Sequence, residues 1–113
     1  MKQFIYFISG PTAIGKSSIA LRVAKKINGM VINADSMQIY SNLEILTARP
    51  SKKDHDEIEH RLYGYINGSE GYNVAKWCKD VVKIIHESNK KQIPLIIVGG
   101  TGMYINALLN GII

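Results

Sequence analysis

FIYFISGPTAIGKSSIA, residues 4–20, is the stretch from which a fold is predicted most directly. Its first part, Phe4–Ile8, is an apolar run with the aromatic and β-branched residues of a buried strand. The run leads into GPTAIGKS, Gly10–Ser17, which matches the pattern G-x-x-x-x-G-K-[ST] at every defined position. A strand, a glycine loop and a helix start in this order favour anion binding, because the loop amides and the helix N-terminus converge. We therefore predict a ligand that carries phosphate groups; the alternative is a glycine turn before a helix with an exposed lysine.

Each defined position of this loop has a physical role. The two glycines leave room for backbone N–H groups to approach phosphate oxygens. Lys16 is placed to reach a terminal phosphate oxygen, and Ser17 offers a hydroxyl ligand to Mg²⁺, the cofactor that we expect. The residues predicted to bind a diphosphate or nucleotide are Gly10, Pro11, Thr12, Ala13, Ile14, Gly15, Lys16 and Ser17.

The composition limits the class of protein. The chain has 113 residues, 46% hydrophobic and 20% charged, as expected for one soluble globular domain or a piece of one. Its net charge of +5 favours polyanionic partners such as nucleic acid, without requiring them. The single cysteine, Cys78, excludes an internal disulfide and is typical of a reducing compartment. No stretch approaches the roughly 20 apolar residues of a membrane span, so we expect a cytoplasmic protein without a membrane partner.

Strand and helix patterns alternate along the chain, which predicts an α/β fold with a parallel sheet and ligands at the carboxyl ends of its strands. Phe4–Ile8, being continuously apolar, is predicted to be buried on both faces, and the charged run Lys52–Glu59 to be mobile. The predicted strands are Phe4–Ile8, Met30–Asn33 and Leu95–Val98, with His60–Ile66 compatible with a short one. The predicted helices run from Lys16 to a stop at Asn28-Gly29, from about Asn73 to Lys90, and from Met103 to about Leu109.

Two further side chains are candidates for chemistry. Asp35 follows the second strand and so lies at the same sheet edge as the glycine loop, where it suits a general base or a water-mediated Mg²⁺ ligand. Equally, it suits the N-cap of a short helix. Thr101, in the GGTG segment after the third strand, brings a hydroxyl near the loop or simply caps a tight turn. That strand ends in glycine where an ordinary ATP hydrolase has a Mg²⁺-binding acid, which argues against ATP hydrolysis.

The order and spacing of the motifs resemble the tRNA dimethylallyltransferases over essentially the whole chain. The motifs are GPTAIGKS (10–17), ADSMQIY (34–40), TARP (47–50), EHRLYGY (59–65), GYNVAKW (71–77) and IIVGGTGMYINALLNG (96–111). These enzymes prenylate the adenosine beside the tRNA anticodon. The resemblance implies a P-loop NTPase-like fold, similar to that of nucleotide kinases, whose loop holds the diphosphate of dimethylallyl diphosphate.

The resemblance also implies roles for individual residues. Thr12 to Ser17 would contact the diphosphate, with Mg²⁺ near Ser17. Asp35 would accept a proton from the exocyclic amine of adenosine, and Thr101 would lie against the reacting groups. The residues implied to contact the flipped-out base of the tRNA anticodon stem-loop are Asp35, Ser36, Met37, Gln38 and Thr101.

Three features depart from the family pattern. Leu46 replaces a common glycine and Arg61 a common histidine, both outside the transferred chemistry. More importantly, family members are much longer, so we expect residues 1–113 to be an N-terminal fragment of the P-loop core domain, with about three core strands. The helical insertion that clasps the anticodon stem and a later arginine would be missing. We expect such a fragment to bind diphosphate but not to modify tRNA; the complete enzyme is expected to be a monomer.

Family topology makes one further prediction about the sheet. The third predicted strand would lie between the second and the first, which leaves Phe4–Ile8 with an open, apolar edge that invites aggregation. Two functional alternatives remain at this stage. One is a small P-loop kinase that uses ATP, with Asp35 activating an acceptor hydroxyl, and the other is a non-catalytic phosphate-binding remnant.

Overall fold

The computed structural model describes residues 3–10, 15–35, 52–63, 73–99 and 103–112. Within these ranges the chain alternates between strands and helices, as the hydrophobic pattern predicts. The elements are β1 (Ile5–Ser9), α1 (Lys16–Ile27), β2 (Met30–Asn33), α2 (Lys52–Glu57), β3 (His60–Arg61), α3 (Val74–Lys90), β4 (Leu95–Gly99) and α4 (Met103–Ile112).

The strands form one parallel sheet in the order β1-β4-β2-β3. Strand β4 is central: its Leu95 pairs with Ile5 of β1 on one side and with Met30 of β2 on the other. The predicted parallel α/β sheet, and the position of the last core strand between the other two, are therefore confirmed. Strand β3 adds a short fourth strand beside β2. Of the strand considered over His60–Ile66, Leu62 and Tyr63 are not part of β3, and residues 64–66 lie outside the described residues.

Strand β1 corrects one prediction made from composition. We expected both of its faces to be buried, yet Tyr6 is 44% and Phe7 is 37% exposed, and the neighbouring Phe4 is 64% exposed. The reason is its place in the sheet, because within the described residues β1 pairs with β4 alone. The open apolar edge expected from family topology is present in this part of the chain.

Helices cover both faces of the sheet. Helix α1 packs on one face, where Ala20 and Ala24 contact Val31, Ile96 and Val98. Helices α3 and α4 pack on the other face around a larger core. That core contains Trp77, Val81, Ile84, Tyr104, Ile105 and Leu108 of the helices with Met30, Ile32, Leu95 and Ile97 of the strands. In the part of the chain that the structure describes, no helix is long and apolar enough to cross a membrane.

The helix boundaries follow from local chemistry. Helix α1 ends at Asn28, which adopts the left-handed conformation with φ 53°. Gly29 follows where a Cβ atom would lie 2.7 Å from Ile96 Cδ1. Helix α3 begins after Asn73, whose side chain accepts a hydrogen bond from the Lys76 N–H at 3.0 Å. All three positions agree with the predicted stops and starts.

The charged run Lys52–Glu59 differs from its prediction. We expected a mobile stretch, but Lys52–Glu57 forms helix α2. The Ile58 N–H donates to the Asp54 carbonyl, and Glu57 forms an ion pair with Lys25 of α1. Ile58 also packs against the core beneath α1, so the segment is attached to α1 by two contacts that its polar sequence does not predict.

Candidate functional site

The candidate site lies where three parallel strands end together. In the sheet register Ser9 of β1 lies beside Gly99 of β4, and Asn33 of β2 lies beside Val98. Gly10, the end of β4 and Asp35 therefore lie together at the carboxyl end of the sheet, as predicted. Of the predicted site residues, the structure describes Gly10, Gly15, Lys16, Ser17 and Asp35; Pro11, Thr12, Ala13, Ile14, Ser36, Met37, Gln38 and Thr101 lie outside the described residues.

The two loop glycines adopt backbone conformations that other residues rarely take. Gly10 has φ 149° and Gly15 has φ 71°. Gly15 immediately precedes Lys16, the first residue of α1, so its left-handed turn directs the chain into the helix. A Cβ atom at Gly15 would meet nothing within 4 Å, which means that backbone conformation, not crowding, favours glycine there.

Lys16 is the first residue of α1, and its side chain reaches back to Gly10. It is only 6% exposed, and its Nζ donates a hydrogen bond of 2.7 Å to the Gly10 carbonyl oxygen. The ammonium group is thereby held between the start of the loop and the first turn of α1. This location suits a cation that contacts a bound phosphate.

Ser17 is the residue predicted to hold Mg²⁺. It is half-buried in the first turn of α1. Among the described residues, no group of three His, Cys, Asp or Glu side chains is arranged to hold a metal ion. A single hydroxyl nevertheless fits Mg²⁺, because this ion keeps several waters and is usually bound by one or two protein ligands together with phosphate oxygens.

Contacts at the end of β4 explain why this strand ends in glycine, Gly99. A Cβ atom at Gly99 would lie 2.9 Å from the Ala34 carbonyl oxygen and 3.0 Å from Ala34 Cβ. The Ala34 N–H also donates to the Val98 carbonyl oxygen at 2.7 Å, which binds the two strand ends together. An acidic side chain at this position of the strand would collide with the segment that leads into Asp35.

Asn33 is a site residue that sequence reasoning missed. It is 1% exposed, and its Oδ1 accepts a hydrogen bond from the Asp35 N–H at 2.9 Å. Its Nδ2 donates to the carbonyl oxygens of Asp35 and Leu62, at 2.9 and 3.0 Å. The signal in the sequence was a single amide at the end of the apolar strand MVIN, where a buried polar group requires partners.

Tyr63 is the second residue that was missed. Burial, together with the negative charge of Asp35, raises the pKa of the Tyr63 hydroxyl well above its usual value. The ring packs against the core beneath α1 and meets His60 edge-on, with ring centroids 5.9 Å apart. Tyr63 belongs to the motif EHRLYGY, but nothing in that motif alone indicates that it lies near Asp35.

Asp35 itself is half-buried, and the Asn33 side chain holds both its N–H and its carbonyl oxygen. The N-cap interpretation of Asp35 depends on residues 36–40, which lie outside the described residues. What the described residues bring together is a carboxylate, a buried lysine and a helix N-terminus at one sheet edge. This arrangement suits transfer of a group from a phosphorylated donor, with the carboxylate accepting a proton.

The sequence matches a family model for IPP transferase over residues 38–113. A tRNA dimethylallyltransferase of Pelagibacter ubique is 49% identical over 109 residues, which are 96% of this chain and 35% of the relative. A tRNA dimethylallyltransferase of Bartonella henselae is 50% identical over 108 residues, 96% of this chain and 37% of the relative. The chain thus spans little more than a third of the length of these relatives.

Solved structures give the same result. A full-length tRNA isopentenylpyrophosphate transferase from Bacillus halodurans superposes with a TM-score of 0.88 at 35% identity, over 97% of this chain and 36% of that protein. A eukaryotic dimethylallyltransferase acting on tRNA gives a TM-score of 0.83 at 32% identity, over 93% of this chain and 26% of that protein. The likeness confirms the P-loop NTPase-like α/β fold that the family resemblance implies.

Proposed function

This chain belongs to the tRNA dimethylallyltransferases of the IPP transferase family, and on that premise we propose that it takes part in tRNA prenylation. Residues 1–113 form the N-terminal part of the P-loop core domain of the enzyme. The reaction transfers a dimethylallyl group from dimethylallyl diphosphate to the exocyclic amine of the adenosine adjacent to the anticodon. Glycine at the end of β4 supports a group transfer over ordinary ATP hydrolysis.

One observation carries the proposal: Asp35 lies at the same sheet edge as the Gly10–Ser17 loop. The ends of β1 and β2 lie on either side of the end of β4, so Asp35 and Gly10 both lie at the carboxyl end of the sheet. A transfer from a diphosphate to an amine needs an anion site and a proton acceptor on opposite sides of the reacting carbon. The two groups supply these functions.

The chemistry assigned to this chain balances without a redox partner. The adenosine amine nitrogen forms a bond to the allylic carbon, and the bond from that carbon to the diphosphate oxygen breaks. Diphosphate leaves with the bonding electron pair, and the proton lost by the amine passes to the Asp35 carboxylate. Negative charge grows on the leaving diphosphate, where loop amides, the α1 N-terminus and Lys16 stabilise it.

Ser17 holds Mg²⁺ in this proposal, through its hydroxyl at the start of α1. When bound, the ion would neutralise part of the diphosphate charge. Lys16 leaves its hydrogen bond to the Gly10 carbonyl for a phosphate oxygen of the donor.

The tRNA anticodon stem-loop is the proposed acceptor. The target base must leave its stack to reach the sheet edge, as for other enzymes that act on nucleobases. In this proposal the segment that begins at Asp35 contacts the base, with Thr101 beside the reacting groups. The net charge of +5 supports binding to a phosphate backbone. The base-contacting residues proposed are Asp35, Ser36, Met37, Gln38 and Thr101.

Calorimetric titration of the purified chain tests the donor site. We expect dimethylallyl diphosphate with Mg²⁺ to bind more tightly than ATP with Mg²⁺. Lys16→Ala should weaken donor binding about ten- to a hundredfold, since it removes a charge-assisted contact. Lys26→Ala is the matched control, because Lys26 is exposed on the same helix and away from the loop. Tighter binding of ATP would favour the kinase alternative and overturn the proposal.

Turnover tests the role of Asp35. The chain is joined to the remaining part of the Pelagibacter ubique relative, and prenylation of an anticodon stem-loop is measured. Asp35→Asn should lower kcat at least a hundredfold, the usual range for loss of a general base. Asp56→Asn, at an exposed position of α2, is the control and should leave kcat unchanged. Equal activity of the Asp35 variant would contradict the assignment.

A further inference from the structure

We propose that Asn33 is a positioning residue that fixes Asp35 against the end of β3. The proposal deepens the function above and rests on it, since it assigns Asn33 a part in the same proton transfer. The observations that carry it are three hydrogen bonds of one buried side chain, a left-handed residue at the end of β3, and a tryptophan that holds the Asn33 backbone.

The side-chain amide of Asn33 uses its oxygen and both of its N–H hydrogens in hydrogen bonds. Its Oδ1 accepts from the Asp35 N–H, and its two Nδ2 hydrogens go to the carbonyl oxygens of Asp35 and Leu62. A primary amide has two donor hydrogens, and both are used. Because Asn33 is buried, water cannot replace any of these partners, so its rotamer and the backbone at residue 35 fix each other.

The backbone of Asn33 is held from the opposite side of the sheet. Trp77 of α3 donates its indole N–H to the Asn33 carbonyl oxygen at 2.7 Å. The indole is fully buried and packs against Tyr104 of α4, with ring centroids 5.0 Å apart. Trp77 in the core beneath α3 and α4 therefore restrains the Asn33 backbone, and the Asn33 side chain in turn restrains the Asp35 backbone.

The end of β3 shows why such a restraint is needed. Leu62 has φ 68°, a left-handed conformation that is unfavourable for leucine and persists only where the surroundings impose it. The hydrogen bond from Asn33 to the Leu62 carbonyl is one such restraint. The next residue is Tyr63, and the charge of Asp35 helps to raise the pKa of its hydroxyl. The Asn33 amide thus joins the backbone of Asp35 to the residue that precedes Tyr63.

A proton acceptor needs this precision. Efficient transfer requires the base within hydrogen-bond distance of the proton, and a shift of about 1 Å can lower the rate about a hundredfold. Asp35 follows β2, and the Asn33 side chain restrains its backbone at both the N–H and the carbonyl oxygen. In this proposal Asn33 acts on the reaction only through that restraint.

Amide hydrogen exchange on the chain, read by NMR, tests the restraint directly. Asn33→Ala removes every side-chain bond, whereas Asn33→Asp keeps an acceptor for the Asp35 N–H and removes both donors. We expect exchange at the Asp35 amide to rise about tenfold or more in Asn33→Ala, as for loss of one hydrogen bond. It should rise less in Asn33→Asp. Exchange at Val31, which lies deeper in β2 and whose N–H donates to the Glu59 carbonyl, should change little in both.

Ser88→Ala is the matched control. Ser88 is equally buried and links Gln3 to the Ile84 carbonyl through its hydroxyl, but it lies at the opposite end of α3. Loss of a buried polar link there should lower stability without changing exchange at Asp35. If Ser88→Ala and Asn33→Ala raise exchange at Asp35 equally, Asn33 has only a general structural role and the proposal is overturned.

The joined enzyme supplies the second readout. Asn33→Ala should lower kcat about ten- to a hundredfold while the KM for dimethylallyl diphosphate stays unchanged, because the phosphate loop is not touched. Ser88→Ala should leave both constants unchanged at temperatures where the variant is folded. An unchanged kcat in folded Asn33→Ala would refute the positioning role. If instead the parent enzyme neither binds the donor nor prenylates, the proposed function fails, and the exchange measurement still decides whether Asn33 restrains residue 35.

Discussion

Strands β1 and β4 are alike in sequence and different in burial. Each has five residues, IYFIS and LIIVG, and they pair in register from Ile5 and Leu95 to Ser9 and Gly99. All of β4 is buried, whereas Tyr6 and Phe7 of β1 remain 44% and 37% exposed. The difference arises from the number of neighbours, because β4 lies between β1 and β2. Apolar composition predicts a strand, but strand order determines how much of its surface is buried.

The largest effect should come from the pair Tyr6 and Ile96, which lie side by side in the register. Ile96→Ala should lower the free energy of unfolding by about 2–5 kcal/mol, since Ile96 is fully buried beneath α1. Tyr6→Ala should lower it by about 1 kcal/mol or less, because much of the ring is in water. Urea unfolding of both variants measures the contrast. Equal losses would mean that β1 is as well packed as β4.

Ser9 and Gly99 give the next contrast, at the carboxyl ends of the same strands. Gly99→Ala should cost about 1–3 kcal/mol, because the new Cβ would meet backbone atoms of Ala34 at 2.9 Å, and backbone yields less readily than a side chain. Ser9→Ala at the exposed edge should change stability by less than about 0.5 kcal/mol. Thermal unfolding would detect both changes. A tolerated Gly99→Ala would show that the strand ends are less closely held than their contacts indicate.

Tyr63, which follows β3 at the other lateral edge of the sheet, should make stability depend on pH. Burial and the Asp35 charge raise the pKa of Tyr63, so the folded state keeps a proton that the unfolded state loses above pH 10.0. The contribution of this group is fully present below that pH and falls as pH rises, by about 1.4 kcal/mol per unit. Tyr63→Phe should remove the part of the fall in unfolding free energy at alkaline pH that Tyr63 causes. Urea unfolding from about pH 9 to about pH 11 measures the difference, and identical slopes would contradict it.

A charge on the β1 edge should have the smallest effect on stability. Its main effect should be on aggregation. Tyr6→Lys should change the free energy of unfolding by about 1 kcal/mol or less. It should nevertheless reduce aggregation on warming, because a lysine opposes edge-to-edge pairing of strands. Asn89→Lys adds the same charge at an exposed position of α3 and serves as control. Equal scattering from the two variants would show that β1 is not the site of association.

Local signals were sufficient to predict most elements. The glycine loop, the Asn28-Gly29 stop and the Asn73 cap each act within a few residues, so the predicted limits of α1 and α3 agree with the structure. The short apolar runs at β2 and β4 were also predicted correctly. The position of Asp35 near the start of the glycine loop was predicted from the parallel strands alone, since their carboxyl ends all lie on one side of the sheet.

Relations between distant parts of the chain could not be predicted from local residue patterns; the strand order was expected only because of the family resemblance. The exposure of β1 depends on strand order, and helix α2 is stabilised in part by the ion pair between Lys25 and Glu57, far apart in the chain. The partners of Asn33 are Leu62 and Trp77, which no sequence period connects to it. The effect of the Asp35 charge on the pKa of Tyr63 likewise connects residues far apart in the chain. A side chain's own pattern shows that it needs a partner but does not show which partner it has.

The pairing of β1 with β4 has a consequence for synthesis of the protein. Beside β1, Gln3 donates to the Ile93 carbonyl, 90 residues later in the chain. At about 5–20 residues per second, a ribosome needs roughly 5–18 seconds to make the intervening chain. During that interval Phe4, Tyr6 and Phe7 have no β4 against which to pack. Strand β1 is therefore made well before its partner β4, and a chaperone that binds exposed apolar segments of nascent chains should bind there.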